Sequence, residues 1–183
     1  MLSLYDYLRA GHVKRWHIVN TATQQSIAEH SYLVSIIAMH LAKLMGCTAE
    51  HVMQTGIRAL FHDITEIRTG DIPTPAKKMI KGIDPLIFDR IESYLMPDNP
   101  YSTAQNSTEE AVSDLCIKLA DAIEAAHWIR ENGLGRHAAI VADGCWRRVE
   151  QLTQENLCYE PVNEILMALG MPYILREEKV SPP

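Results

Sequence analysis

His62 and Asp63 stand side by side within Leu60–Pro75, LFHDITEIRTGDIPTP. An imidazole nitrogen and a carboxylate oxygen together make a partial shell for a divalent transition metal. Neighbours in a helix interior point about 100° apart and cannot meet on one ion. The pair therefore needs a helix end, where the backbone relaxes. The apolar run before it (Val52, Ile57, Ala59, Leu60, Phe61) and the Thr-Gly-Asp-Ile-Pro stretch after it predict such an end. Glu66 follows three residues later, within reach of water on an ion held by the pair, or of Arg68 as an ion-pair partner. Asp71 comes after Gly70, where the chain turns, and could instead cap a helix that begins near Thr74 or Pro75.

Other residues could complete the site. His30 lies between Glu29 and Ser31 near an apolar face, and alone it reads as a hydrogen-bonded core histidine. Asp121 sits in Lys118-Leu119-Ala120-Asp121-Ala122-Ile123, where a carboxylate is costly to bury without a partner. Either Lys118 or a metal would supply that partner, and Lys118 could equally touch a phosphate. Arg15 next to Trp16 offers a guanidinium for phosphate oxygens and an indole face for a base; the plainer reading is a surface cation and a core aromatic. Lys77 and Lys78 could form a phosphate-facing rim or a solvated helix face, the latter being the more common arrangement. His17, His40, His51, His127 and His137 fall outside the pattern and read as ordinary.

Helices must position these groups. Leu2 to Leu8 predicts a short first helix. Ser26 with Glu29 forms a capping-box pair before Ile27, Val34, Ile37, Ala38, Leu41 and Leu44, and Gly46 stops that helix. Thr48 caps the next, from Ala49 to about Asp63. Ala76 to Lys81 makes one or two turns, and Asp84 caps a helix through Leu95. Met96 to Ser107 is a loop by its prolines and asparagines, and Thr108 opens a long helix that Gly133 and Gly135 end. A helix from Arg136 to about Asn156 and a last one from Val162 to Leu169 follow. No period-two strand is evident. The expectation is an all-α bundle of six or seven helices.

Taken together, His30, the His62-Asp63 doublet and Asp121 resemble the ligand set of HD-domain metal-dependent phosphohydrolases. RWHIV near the start, AEHS around His30, FHDITEIRTGDIPTP in the centre and KLADAIEA around Asp121 resemble the branch that holds YfbR-type 5'-deoxynucleotidases and phage dATP triphosphohydrolases. The resemblance covers about residues 10 to 130. It implies an HD domain, expected over residues 1–176; the tail at 177–183, ending in Ser181-Pro182-Pro183, reads as flexible by its composition. It implies His30, His62, Asp63 and Asp121 as metal ligands, Glu66 as the catalytic acid/base, and Asp71 on the sugar 3'-hydroxyl. It implies Arg15, Trp16, Pro75 and Lys118 around a deoxynucleotide, with Ile18 packed on the base edge where guanine's 2-amino group would clash. The reaction implied is hydrolysis of a 5'-phosphate ester, releasing phosphate from a monophosphate or triphosphate from a dNTP such as dATP.

Donor chemistry suits Mn²⁺, Co²⁺, Ni²⁺ or Zn²⁺ without choosing among them; a triphosphate substrate would bring Mg²⁺ as well. The 183 residues, 47% hydrophobic and 22% charged, suit one globular unit. A formal net charge of -6 argues against a nucleic-acid polymer as partner. No apolar run reaches membrane-span length and the first residues lack a signal-peptide layout, so a cytoplasmic protein (host cytoplasm if phage-encoded) is expected. Cys47, Cys116, Cys145 and Cys158 form no CxxC pair and read as reduced thiols. Apolar positions in the C-terminal third (Ile140, Val141, Trp146, Val149, Leu152, Ile165, Leu166, Leu169) allow a homo-oligomer, although most suit a core. A catalytically silent HD module that senses a nucleotide is the competing reading, disfavoured by the intact ligand set and Glu66. HD hydrolases of cyclic nucleotides or guanosine alarmones carry other flanking motifs than TGDIPTP.

Overall fold

The computed structural model describes residues 2–97 and 108–176. Among them it contains nine α-helices and no strand. They are α1 (Leu4–Tyr7), α2 (Ile27–Leu44), α3 (Ala49–Leu60), α4 (Glu66–Thr69), α5 (Thr74–Ile83), α6 (Ile87–Leu95), α7 (Thr108–Asn132), α8 (Gly135–Asn156) and α9 (Tyr159–Ala168). The fold is all-α, as expected. Most of the predicted loop from Met96 to Ser107 and the predicted tail at 177–183 lie outside the described residues.

The capping box at the start of α2 is formed. Ser26 Oγ accepts the Glu29 amide at 3.2 Å, and Glu29 Oε2 accepts the Ser26 amide at 2.7 Å. That cap fixes which face of α2 turns inward, and His30 shares the face with Ile27, Val34, Ala38 and Leu41. Thr48 Oγ1 caps α3 by accepting the His51 amide at 3.2 Å. Helices α2, α3, α7 and α8 pack on one another around Val34, Leu41, Leu119, Ile123 and Val149, and α9 adds Val162 and Leu166. Each such side chain contributes about 1.5–3 kcal/mol on full burial. Gly56 explains the close crossing of α2 and α3: a Cβ there would stand 2.5 Å from Met39 Sδ. Its carbonyl also accepts Ser35 Oγ at 2.8 Å. In the C-terminal third Val149, Leu152, Ile165 and Leu166 are core, whereas Ile140 is exposed.

Several boundaries differ from expectation. Helix α3 stops at Leu60 rather than Asp63, because the chain tightens there: the Phe61 amide turns to the Arg58 carbonyl and the His62 amide to that of Ala59. Helix α5 is longer than predicted, with Pro73 as its N-cap. Asp84 is not the N-cap of α6; that residue is Leu86, whose amide Asp84 Oδ1 accepts at 3.1 Å. The first helix is only Leu4–Tyr7, continued by a 3-10 turn over Leu8–Gly11.

A small satellite core braces the central loop. Ile64, Ile67 and Met96 pack with Leu2, Tyr7, Phe61 and Leu95, and Arg68 reaches Asp6 at 2.8 Å. Isolated bridges, Lys14 to Ser26 and Thr21 to Gly133, pin the irregular stretch between the 3-10 turn and α2.

Candidate metal centre

His30 projects from the first turns of α2, Asp121 from the middle of α7, and His62 and Asp63 from the turn that follows α3. His30 Nε2 lies 3.5 Å from Asp63 Oδ2 and 3.4 Å from Asp121 Oδ1. His62 Nε2 lies 3.4 Å from the same Asp63 oxygen. Ligand atoms of His30, His62 and Asp121 all fall within 4.8 Å of one another.

The far side of each imidazole fixes its tautomer. His30 Nδ1–H donates to Glu124 Oε2 at 2.7 Å, and His62 Nδ1–H donates to the Ala59 carbonyl at 2.6 Å. With each Nδ1 committed to an acceptor, each ring turns its Nε2 toward the two carboxylates, where in the neutral tautomer it offers a lone pair. Both Nε2 atoms are buried without a hydrogen-bond partner among the described residues. Two lone pairs facing two carboxylates call for a cation, and an imidazole-plus-carboxylate set suits a divalent transition metal. With no metal, a proton fills that role at His30. Burial alone would lower its pKa, but Asp121, Asp63 and Glu124 push it up to about 10. Burial would raise Asp63, yet the neighbouring His62, His30 and Lys77 hold it well below the usual carboxylate range. At Asp121 burial likewise opposes ionisation and the His30 contact wins. Lys118, three residues before Asp121, is exposed and makes no ion pair with it among the described residues.

Glu66 opens α4 beside this cluster and is 4% exposed. Its Oε1 accepts Lys77 Nζ at 2.6 Å, and its buried Oε2 has no partner among the described residues. Burial first, and the Asp63 charge second, raise its carboxyl to about 7 against the pull of Lys77. Arg68, the alternative partner, is engaged with Asp6 instead. Lys77 is thus no solvated residue: it is half-buried beside Glu66, and its pKa is raised by Asp63, Glu66 and Asp71 although burial opposes this.

Asp71 sits just past Gly70, whose φ of 74° makes the turn. It does not cap α5; its Oδ2 lies 3.5 Å from His17 Nδ1. That histidine had no expected role. Pro75 is exposed in the first turn of α5, and Ile18 is 55% exposed. Trp16 stacks on Trp128 of α7 with ring centres 5.4 Å apart and planes 3° from parallel. Its φ of 62° lies in the left-handed region, a strained choice for a bulky residue. The Arg15 guanidinium stands 5.5 Å from the Trp16 ring centre.

Sequence reasoning missed Glu124, Gln25, Lys77, His17 and Trp128. Glu124 carried a signal: it follows Asp121 by three residues in an alanine-rich helix, hence on the same face. Gln25, in a polar stretch, carried none.

The HD domain family model matches residues 8–111. The chain is 33% identical to a dATP triphosphohydrolase of Salmonella phage PMBT28 over 163 residues, 82% of this chain and 78% of the relative. It is 28% identical to a 5'-deoxynucleotidase of Vibrio vulnificus (strain YJ016) over 149 residues, 71% of this chain and 74% of that protein. Among solved structures it is similar to a Cyanophage S-2L HD phosphohydrolase bound to dA and one catalytic Zn²⁺ ion. The TM-score is 0.66 at 30% identity, covering 92% of this chain and 94% of that one. The chain therefore belongs to the HD domain family, as a phosphohydrolase related to phage dATP triphosphohydrolases and 5'-deoxynucleotidases.

Proposed function

We propose that this protein hydrolyses the 5'-phosphate ester of 2'-deoxynucleotides, with a dNTP such as dATP as the favoured substrate and triphosphate as the leaving product. The observation that carries the reading is the pair of unpartnered Nε2 atoms, His30 and His62, turned toward Asp63 and Asp121 beside the buried carboxyl of Glu66. The triphosphate form is favoured over a monophosphate by similarity to the phage enzymes.

His30, His62, Asp63 and Asp121 would hold a divalent transition ion: Zn²⁺, as in the Cyanophage S-2L structure, or Mn²⁺, Co²⁺ or Ni²⁺. Such an ion, when bound, supplies Lewis acidity to the phosphoryl oxygen and makes a nearby water more acidic. The chain's residues do the rest. Ionised Glu66 takes the proton of the attacking water on Oε2, while Lys77 on Oε1 keeps the carboxylate aimed. Arg15 offers its guanidinium to phosphate oxygens, and Lys118, exposed on α7, is a further candidate cation for them. Trp16, backed by Trp128, carries the base. Exposed Ile18, two residues past Trp16, is assigned to the base edge, where a purine with a 2-amino group would meet it, and exposed Pro75 to the same pocket. Asp71 accepts the 3'-hydroxyl.

Exposed Leu33 and Ile36 on α2, with Met53, Ile57 and Leu60 on α3, support assembly as a homo-oligomer. The competing role, a silent nucleotide sensor, leaves the raised Glu66 carboxyl without a purpose. Incubating the protein with dATP and Co²⁺ and identifying the products separates these readings. Deoxyadenosine plus triphosphate is expected; binding without turnover would favour the sensor.

A further inference from the structure

Gln25 and Glu124 lie between the two halves of the proposed site. Both are side chains inside the protein, 2% and 3% exposed. Gln25 Oε1 accepts Trp16 Nε1–H at 3.0 Å and Arg15 NH1 at 3.3 Å. Gln25 Nε2 donates to Glu124 Oε1 through a short hydrogen bond. Glu124 Oε2 accepts His30 Nδ1–H at 2.7 Å and lies 3.4 Å from Arg15 NH1. Only one orientation of the Gln25 amide works. An indole N–H and a guanidinium can only donate, and an ionised carboxylate can only accept. The chain of bonds from Trp16 to His30 therefore has a single register and leaves neither Gln25 group free to turn. It also secures Trp16 in its strained left-handed backbone conformation. The Arg15 amide donates to the Gln25 carbonyl at 2.9 Å, so backbone and side chain of Gln25 both serve this corner.

We infer that Gln25 and Glu124 are positioning residues that couple the nucleotide platform of Arg15 and Trp16 to the metal-facing imidazole of His30, so that metal and nucleoside each tighten the binding of the other. This inference rests on the proposed roles of His30 and Trp16. A metal on Nε2 draws electron density from the ring and strengthens the Nδ1–H bond to Glu124. A fixed Glu124 carboxylate holds the Gln25 amide, and the amide holds the indole and guanidinium where a base and a phosphate arrive. By linkage the effect runs equally in the other direction.

The test uses Co²⁺ and deoxyadenosine, a nucleoside with no phosphate to lose. Deoxyadenosine affinity is measured by calorimetry on the chelated protein and again at saturating Co²⁺. Co²⁺ affinity is measured separately without nucleoside. The wild type should bind deoxyadenosine more tightly with the metal present, by roughly 5- to 150-fold, the usual range of coupling between two sites. Gln25→Leu should bring that ratio most of the way to one. Trp16→Phe keeps an aromatic ring but has no N–H, and leaves Gln25 Oε1 bonded to Arg15; it should do the same while Co²⁺ binds near wild-type strength. A merely structural role would weaken both affinities and leave their ratio unchanged. A wild type whose deoxyadenosine affinity ignores Co²⁺, or a ratio preserved in Trp16→Phe, overturns the inference. A wild type that binds Co²⁺ at none of the four ligands, shown by unaltered affinity in Asp63→Ala, overturns the metal site itself.

Discussion

Lys77 Nζ donates to Glu66 Oε1 across 2.6 Å, and Glu66 Oε2, buried and without a partner, is the oxygen left to accept a proton. Lysine and carboxylate divide the labour. In the proposed mechanism the cation keeps Glu66 ionisable in a buried place, and Oε2 does the acid/base work.

Removing that oxygen should act on rate rather than on metal. Glu66→Gln is expected to lower kcat by roughly 10²–10⁴-fold while the protein still binds its metal stoichiometrically. Because the carboxyl is raised to about 7 and must be ionised to act as a base, kcat should increase as pH rises through its pKa. A bound divalent ion favours the carboxylate and moves that limb below the metal-free value. Lys77→Met withdraws a cation that stabilises ionised Glu66, so it should shift the limb to higher pH. A pH–rate profile of both variants checks this, and a limb that moves to lower pH in Lys77→Met contradicts the assignment.

At the other end of the same short helix, Arg68 ties the N-terminus down through Asp6. The Ser3 amide and hydroxyl, and then Arg68, lower the Asp6 pKa from 3.8 to about 2. A depressed carboxyl adds stability that is complete above its unfolded pKa and is lost as pH falls toward the folded one. Wild type and Asp6→Asn should therefore differ in thermal midpoint at pH 6, with the gap closing between about pH 4 and pH 2. Differential scanning fluorimetry across that window reads the gap directly; a constant gap would assign the effect to packing alone.

In the proposed site, sugar and base selection rest on Asp71 and Ile18. A ribonucleotide brings a 2'-hydroxyl into space beside the 3' contact, and an unpaired buried hydroxyl costs roughly 1–3 kcal/mol, about 5- to 150-fold. Deoxynucleotides should be preferred by that margin in kcat/KM, and Asp71→Asn should lose activity and most of the preference. Ile18→Ala should admit deoxyguanosine substrates that the wild type turns over poorly. The comparison is kcat/KM for dATP against dGTP in both proteins; equal values in the wild type would remove Ile18 from base selection.

Much of this arrangement could be read from residue order. The Ser26–Glu29 box, the apolar spacing of α2 and the glycines after α2 and α7 set the helices, because capping and periodicity are local signals. His62-Asp63 was legible as a helix end for the same reason. Lys77 was not: nothing in TPAKK tells which of two adjacent lysines turns back toward Glu66, since that depends on how α5 folds over the loop. Gln25 was illegible because its partners, Trp16 and Glu124, lie 9 and 99 residues away. The end of α3 was placed three residues late, since the tightening turn at Phe61 depends on the His62 side chain bonding the Ala59 carbonyl rather than on residue propensity.

The central claim is that four side chains hold a metal without which no ester is cleaved. It is tested most directly by stripping the protein with chelator and assaying dATP, then restoring Co²⁺, Mn²⁺ or Zn²⁺, in wild type and Asp63→Ala. The account expects no turnover after stripping, recovery of deoxyadenosine and triphosphate in the wild type, and none in Asp63→Ala despite unchanged helical content by circular dichroism. Turnover that survives chelation, or full recovery in Asp63→Ala, would contradict it.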